Sequence, residues 1–379
     1  MRKTPREATM GMIAGLEVGL PASIDDVDAT WMTAVLRSSG AIGAESLVTA
    51  LSNEPFIAGG LLSLLFRSTI ESDDANAPAT VIVKFPTDVV AQRAMADAFG
   101  VYNREVVFYR DIAPQSDINM PIIHAAITAD DLSNSCIVME DLGYLRQPDR
   151  NAGVTWDEAV KGIRALARYH AGWLGSPQLP ALMDPFISIG APIQRAGLPS
   201  IAENGWPGAK RHAPEVLSPD VVALGDMWVD RLNAMLDHMC TNPTLCHQDW
   251  RADNMFIGAD GEIVMIDPQI AGVANGAYDI GYFISQSTER ETLQGRHREL
   301  VQHYVDEMAG LGHALDTDQV FFDTRVAVGL CLMYGFSSYA QYDELDDQGK
   351  VMTLKLLRRG AESIEDFDSL GAVRELPVS

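Results

Sequence analysis

His247-Gln248-Asp249-Trp250-Arg251-Ala252-Asp253-Asn254, followed by Met265-Ile266-Asp267-Pro268-Gln269, is the stretch on which the reading of this chain turns. Asp249 stands two residues after a histidine and Asn254 five after that. Asp267 follows Met255-Phe256-Ile257-Gly258-Ala259-Asp260-Gly261-Glu262-Ile263-Val264. That interval is two short apolar runs around an Asp-Gly turn signal, the pattern of a β-hairpin. Folding the hairpin brings Asp267 back beside the loop that carries Asp249 and Asn254. Two carboxylates and an amide oxygen then converge, the equipment for holding Mg²⁺ against a nucleotide while a hydroxyl attacks its terminal phosphate. In such a site Asp249 accepts or steers the hydroxyl proton. Asn254 coordinates metal through its side-chain oxygen, Asp267 bridges Mg²⁺ to the phosphates, and His247 orients the loop.

A second pair of residues lies upstream. Thr80-Val81-Ile82-Val83-Lys84-Phe85 has strand composition. Alternation sets Val81, Val83 and Phe85 on one face and Ile82 and Lys84 on the other. A lysine there needs an anionic partner or an open sheet edge. Glu105 offers the partner. On a helix through residues 102–111 it is surrounded by Val101, Tyr102, Phe108 and Tyr109, where a carboxylate is costly unless paired. A Lys84–Glu105 pair would aim the ammonium at phosphate oxygens. Taken singly, each has a plainer reading, as an edge-strand lysine and a stripe-edge glutamate. Pro55-Phe56-Ile57-Ala58-Gly59-Gly60-Leu61-Leu62-Ser63 is a glycine-containing turn that could present backbone N–H groups to a phosphate, with Ser63 a nucleotide-binding candidate. An ordinary hairpin reads the same way. Asp279, in Gly276-Ala277-Tyr278-Asp279-Ile280, either caps the helix that begins there or holds the loop by accepting its backbone N–H groups.

The chain has 379 residues, enough for two lobes that each bury a core. A hydrophobic content of 47% and a mean hydropathy of +0.01 describe a globular protein. No continuous apolar run approaches the ~20 residues that cross a bilayer, and no signal-peptide pattern follows the basic start Met1-Arg2-Lys3. The expectation is a cytoplasmic protein with no membrane partner, its four cysteines reduced and without metal-type spacing. A net charge of −24 argues against nucleic acid, whose binding needs clustered cations. It leaves room for one nucleotide held by a few local cations and a metal. An acidic surface also steers cations, although solubility alone explains it.

Along the chain, residues 24–40 read as an amphipathic helix capped by Ser23 or Asp25 and ended by Gly40. Residues 91–113 are helical with a break near Gly100, and 135–140 form a strand. Helical spacing dominates after residue 150, over 156–174, 219–239, 289–311 and 318–342. The Pro- and Gly-rich stretch 176–218 reads as loops and short helices suited to substrate contacts. The aromatic residues Trp206, Phe321, Phe322, Tyr334 and Phe336 lean towards a bulky apolar acceptor, the acidic charge towards a cationic one.

Several segments carry a family resemblance. They are Val83-Lys84-Phe85-Pro86, Glu105 before Phe108-Tyr109, Met139-Glu140-Asp141-Leu142 and Leu166-Ala167-Arg168-Tyr169-His170-Ala171, then the His247–Asn254 loop, Ile266-Asp267 and Ala277-Tyr278-Asp279-Ile280. Together they resemble the aminoglycoside phosphotransferase and choline kinase superfamily, and within it the ecdysteroid-kinase-like branch, from about residue 47 to about 345. The resemblance implies an α+β, protein-kinase-like fold of two lobes. A small β-rich nucleotide-binding lobe with a leading helical segment would occupy 1–142, and a larger, mainly helical catalytic and substrate-binding lobe 143–379. It implies ATP and Mg²⁺, with Lys84 on the phosphates, Glu105 bracing it and the Glu140–Leu142 backbone receiving adenine. Asp249 would be the catalytic aspartate, and Asn254 and Asp267 would bind Mg²⁺.

Two departures matter. Pro268-Gln269 stands where protein kinases have Phe-Gly, and only eleven residues separate Asp267 from Asp279. That interval is too short for a peptide-docking activation segment, which favours a small-molecule acceptor. The expected activity is ATP-dependent phosphorylation of an alcohol hydroxyl on an organic acceptor. The alternative is a nucleotide-binding pseudokinase without turnover.

Overall fold

In the computed structural model, which describes residues 19–56, 62–132, 134–182 and 184–377, the early strand patterns become an antiparallel sheet. Its members are β1 (Val48–Pro55), β2 (Ser63–Ser72), β3 (Thr80–Pro86), β4 (Ile123–Thr128) and β5 (Ser135–Glu140), in the order β1-β2-β3-β5-β4. The Gly59-Gly60 turn and the basic amino terminus lie outside the described residues. β3 is central: Lys84 is opposite Leu65 of β2 and Ile137 of β5. The edge-strand reading of Lys84 therefore fails. Val81, Val83 and Phe85 face a core shared with Cys136, Val138 and Ala125, and with Trp31, Met32, Val35 and Leu36 of α1 (Ala29–Ser38).

The helix expected from residue 24 begins later. Ser23 caps a single 3₁₀ turn, Ile24–Asp26, and the helix starts where the Asp28 carboxylate accepts the Trp31 N–H at 2.7 Å. Gly40, at φ 72°, follows its end. Ser39 joins α1 to β4: its hydroxyl donates to the Leu36 carbonyl and its oxygen takes the Nδ1–H of buried His124, both at 3.1 Å. α2 (Val90–Ala98) and α3 (Val101–Val107) are broken by Gly100 at φ 62°, as the sequence leads one to expect.

Two compact units result. The first reaches Leu145 and takes in Val264–Ile270; the second holds Arg146–Ile263 and the chain from Ala271 onward. Because 264–270 returns to the first unit, the division is not a single cut in the sequence.

The second unit is mainly helical. Its helices are α4 (Trp156–Ala171), α5 (Leu179–Leu182), α6 (Pro192–His212), α7 (Pro219–Met239), α8 (Ala277–Ser287), α9 (Arg290–Leu293), α10 (His297–Gly310), α11 (Thr317–Phe336), α12 (Asp347–Asp366) and α13 (Ser369–Glu375). β6 (Pro243–Cys246) pairs with β9 (Gly272–Asn275). β7 (Met255–Ile257) and β8 (Ile263–Met265) are the arms of the expected hairpin, with Gly261 at φ 85° in its turn. α4 begins with a capping box in which Thr155 and Glu158 satisfy each other's backbone N–H groups.

Two expectations need correction. Residues 176–218 contain the 21-residue α6, although Pro199 and Pro207 each remove a helix hydrogen bond. Packing overrides that loss. A Cβ on Gly205 or Gly208 would stand 2.4 or 2.5 Å from the carbonyl oxygen of Phe336 or Tyr339, so only glycine allows this approach. Trp206 lies edge-on to Phe336 at 6.0 Å, and a Cβ on Gly225 of α7 would meet its ring. Trp206 and Phe336 are 5% and 0% exposed, core residues rather than an acceptor pocket. The helical stretch Thr317–Glu344 does reach the length and hydropathy of a bilayer span, but 72% of its apolar window is buried within the fold. That burial is what a core helix of a folded domain requires.

Gly205→Ala should lower the unfolding free energy by about 1–3 kcal/mol in urea titration, since backbone atoms must shift. An unchanged midpoint would contradict the close packing. Burial pulls His124 from its ordinary 6.5 to about 4, against the opposing pull of Glu140. The unfolded ring takes up its proton first as pH falls, so stability should decline from about pH 6.5 to about pH 4. The loss is roughly 3 kcal/mol at most. Urea unfolding of His124→Gln across that range should show a shallower pH dependence than the natural protein.

Candidate active site

The catalytic-loop candidates are organised by one helix. Asp279, on the first turn of α8, is completely buried. Its Oδ2 accepts the His247 N–H at 2.6 Å and His170 Nε2 at 3.0 Å, and its Oδ1 accepts the Gln248 N–H at 2.8 Å. Of the two roles open to Asp279, holding the loop is the one realised. The Ala277 N–H at the helix start is taken by the Asn275 side chain at 2.9 Å. A buried carboxylate persists only with such charge-assisted donors. The clamp holds Gln248 at φ 63°, left-handed backbone that costs a non-glycine residue about 1 kcal/mol or more.

Asp249 is buried and has both oxygens engaged. Oδ1 accepts the Tyr282 hydroxyl at 2.5 Å and Arg251 Nη1 at 2.9 Å, and Oδ2 accepts Asn254 Nδ2 at 3.0 Å. Asn254 Nδ2 also donates to the Asp249 carbonyl at 2.8 Å. With its nitrogen turned to Asp249, Asn254 keeps its amide oxygen, the atom a hard cation would take. His247 Nδ1 receives the Asp249 N–H at 3.2 Å, which is the orienting task expected of it. Ser287, at the far end of α8, accepts the Ala252 N–H at 2.9 Å. Burial raises the Tyr282 phenol well above its ordinary value, and the Asp249 charge adds to the effect. Tyr282 is therefore held as a donor.

His170, Cys246 and Asp279 place their ligand-type atoms within 4.8 Å of one another. Hydrogen bonding explains this cluster. His170 bonds Asp279 through Nε2 and the Tyr304 hydroxyl through Nδ1 at 3.0 Å, and burial keeps the Cys246 thiol protonated, directed at the carbonyls of Ala274 and Asn275.

The first unit brings together Lys84, Glu105 and Asp267. Lys84 Nζ lies 2.7 Å from Glu105 Oε1 and 2.6 Å from Asp267 Oδ1, with side-chain exposures of 9%, 2% and 21%. One ammonium cannot neutralise two carboxylates. Burial would lower the Lys84 pKa, but Asp267 and Glu105 outweigh it and raise it. Burial pushes Glu105 up to about 7, with Lys84 pulling against the shift and Asp267 adding to it. Asp267 has φ 61°, and its Oδ2 accepts Gln269 Nε2 at 3.2 Å. The Met265 N–H bonded to the Asn119 carbonyl at 2.8 Å anchors the approach to it.

Ser63, Glu140 and Leu142 belong to the same unit. Ser63 opens β2 opposite Pro86, and its hydroxyl is buried with no partner among the described residues. The Glu140 N–H donates to the Ile122 carbonyl and the Leu142 carbonyl accepts the Leu145 N–H, both at 2.8 Å. A base at this stretch would have to use its other backbone groups. The sequence reading assigned no role to Tyr282, Arg251, His170 or Ser287. Tyr282 lies three residues beyond Asp279 on the same helix, a spacing that would have flagged it.

No functionally curated protein matches the sequence. Among solved structures the chain is similar to APH(2")-IIia in its GDP and kanamycin complex, at 13% identity and a TM-score of 0.52, covering 89% of this chain and 98% of that one. It is similar to the microcompartment-associated aminopropanol kinase at 12% identity and a TM-score of 0.52, covering 87% and 95%. Choline kinase from Cryptosporidium parvum Iowa II follows at 11% identity and a TM-score of 0.50, covering 86% and 89%. At these identities the likeness establishes the fold, which is α+β and protein-kinase-like. The family profile matches residues 59–178 and 198–316, more than half of the sequence, and the chain belongs to the ecdysteroid kinase-like family.

Proposed function

We propose that this protein is an ATP-dependent kinase that phosphorylates an alcohol hydroxyl of a small organic molecule. The observation that carries the reading is the buried Lys84 ammonium held within 2.7 Å of both Glu105 and Asp267. A fixed cation beside an acidic oxygen ligand is what a nucleotide's phosphates require. The first unit is read as the nucleotide-binding lobe and the second as the catalytic and acceptor-binding lobe. Asn254 and Asp267 offer oxygen atoms suited to Mg²⁺. When bound, the metal supplies charge neutralisation on the phosphate oxygens.

In the reaction Asp249 takes the proton of the acceptor hydroxyl. The acceptor oxygen bonds to the γ-phosphorus as the bond from that phosphorus to the β,γ-bridging oxygen breaks, and ADP leaves with the electron pair. Lys84 stabilises charge on the phosphates, with Glu105 keeping it in place. The Ser63 hydroxyl, buried and without a partner among the described residues, suits a hydrogen bond to the nucleotide, and the Glu140–Leu142 stretch is the site proposed for the base.

The eleven residues between Asp267 and Asp279 support a small acceptor over a peptide. Two structural neighbours hold small hydroxyl-bearing molecules beside a nucleotide, kanamycin with GDP in one and spectinomycin with ADP in the other. Since Trp206 and Phe336 are core, the pointer to a bulky apolar acceptor weakens, and the charge of −24 leaves a polar or cationic acceptor favoured.

Asp249→Ala should abolish ADP release in a screen of hydroxyl compounds while Mg·ATP still binds in calorimetric titration. Unchanged turnover in that variant would sink the assignment. Lys84→Met should weaken Mg·ATP binding at least about tenfold, ~1.4 kcal/mol, in the same titration. Binding by the natural protein without turnover on any acceptor would point instead to a nucleotide-binding pseudokinase.

A further inference from the structure

Asp249 is held by a side chain whose own surroundings are built to hold it. Tyr282 donates its hydroxyl to Asp249 Oδ1. Tyr282 is 3% exposed, and its ring sits between two other tyrosines. Tyr334 of α11 meets it edge-on at 4.7 Å and 86°, and Tyr278, one helical turn earlier on α8, is stacked at 6.4 Å. Tyr278 and Tyr334 are in turn joined hydroxyl to hydroxyl at 2.7 Å. The three rings thus form a closed bracket with one phenol aimed at Asp249.

We infer that Tyr282 is a positioning residue for phosphoryl transfer, fixing the plane of the Asp249 carboxylate and deciding which of its oxygens faces the acceptor. The inference rests on the proposed kinase reading and adds to it a residue that acts through Asp249. Three observations converge on this role. The backbone of the loop is fixed at His247 and Gln248 by Asp279 and at Ala252 by Ser287, which leaves the Asp249 side chain to be set separately. An aspartate rotates about two bonds, and its terminal torsion is broad and weakly restrained unless a partner fixes it. Asn254 Nδ2 holds Oδ2 at 3.0 Å, and Tyr282, from α8, is the buried partner of Oδ1; it carries no charge that would compete with a phosphate. Arg251 also reaches Oδ1 through Nη1, but its Nε donates to Asp253 at 2.8 Å and its side chain is 18% exposed, so it is the softer restraint. The tyrosine bracket ties its three rings to one another by packing and one hydroxyl–hydroxyl bond, the kind of support a positioning group needs.

The test is Tyr282→Phe, which keeps the ring and removes only the hydroxyl. Because the acceptor is unidentified, the first readout is ADP release from Mg·ATP with water as acceptor, followed by any alcohol found in the hydroxyl screen. The expected result is a kcat lower by about ten- to a hundredfold with the KM for ATP unchanged, since misplacement of a reacting group acts on turnover. A crystal structure of Tyr282→Phe should show the Asp249 carboxylate turned out of its plane while the α8 clamp on His247 and Gln248 stays in place.

An unchanged kcat in Tyr282→Phe would overturn the inference and leave the kinase reading standing. So would a raised KM at constant kcat, or a carboxylate that keeps its plane. Absence of turnover in the natural protein, with Mg·ATP binding intact, would overturn the kinase reading and this inference with it.

Discussion

The carboxylate of Asp279 is the constraint on which the second unit's candidate site depends. A fully buried negative charge is tolerated only where donors replace its lost water, and here two come from consecutive backbone N–H groups of the loop and one from His170. Those bonds fix the loop at the residues just before Asp249 and hold Gln248 in left-handed backbone. Burial keeps the Tyr304 phenol protonated, so it donates to His170 Nδ1 and leaves Nε2–H for Asp279. One buried charge thereby sets a backbone conformation, a histidine tautomer and the position of the neighbouring aspartate.

The first unit solves a different electrostatic problem. Lys84 sits on the central strand of a sheet with its ammonium between two carboxylates. The group of three carries more negative than positive charge when all are ionised. That excess is why the lysine holds its proton tightly, while Glu105 is raised first by its burial and further by the Asp267 charge. A site with spare negative charge is suited to a divalent cation, which is the physical link between this cluster and the proposed chemistry. Asp267 resembles Gln248 in one respect: both are non-glycine residues at positive φ beside a proposed reacting group. Such strain persists only where surrounding bonds over-determine it.

Much of this was legible in local sequence. The 80–86 strand, the break at Gly100, the Asp260-Gly261 hairpin turn and the 219–239 helix follow from period, glycine placement and capping, all short-range effects. The Lys84–Glu105 pairing was also readable, because two charges in apolar stripes must find each other. The start of α1 was misplaced because Ser23, Asp25 and Asp28 are all competent caps, and only the packing of Trp31 and Met32 selects among them. α6 was misread for a stronger reason. Its prolines and glycines signal loop, but the glycines serve close approach to Phe336 and Tyr339, contacts more than a hundred residues away in sequence.

The sequence by itself determined the chemistry on offer: a lysine, a glutamate, two aspartates and an asparagine, in an order and spacing that match one family. These follow from residue type and short-range periodicity, which need no knowledge of distant contacts. Only the tertiary structure decided how those groups are held. Asp279 could have capped its helix or clamped the loop, and the choice depended on His170 and the strand pair β6–β9 arriving from elsewhere. Of the aromatic residues that pointed to an acceptor pocket, Trp206 and Phe336 became core and Tyr334 part of a tyrosine bracket, because burial is settled by which helices pack together. Charge pairing and local conformation are written along the chain; burial and orientation are properties of the packed whole.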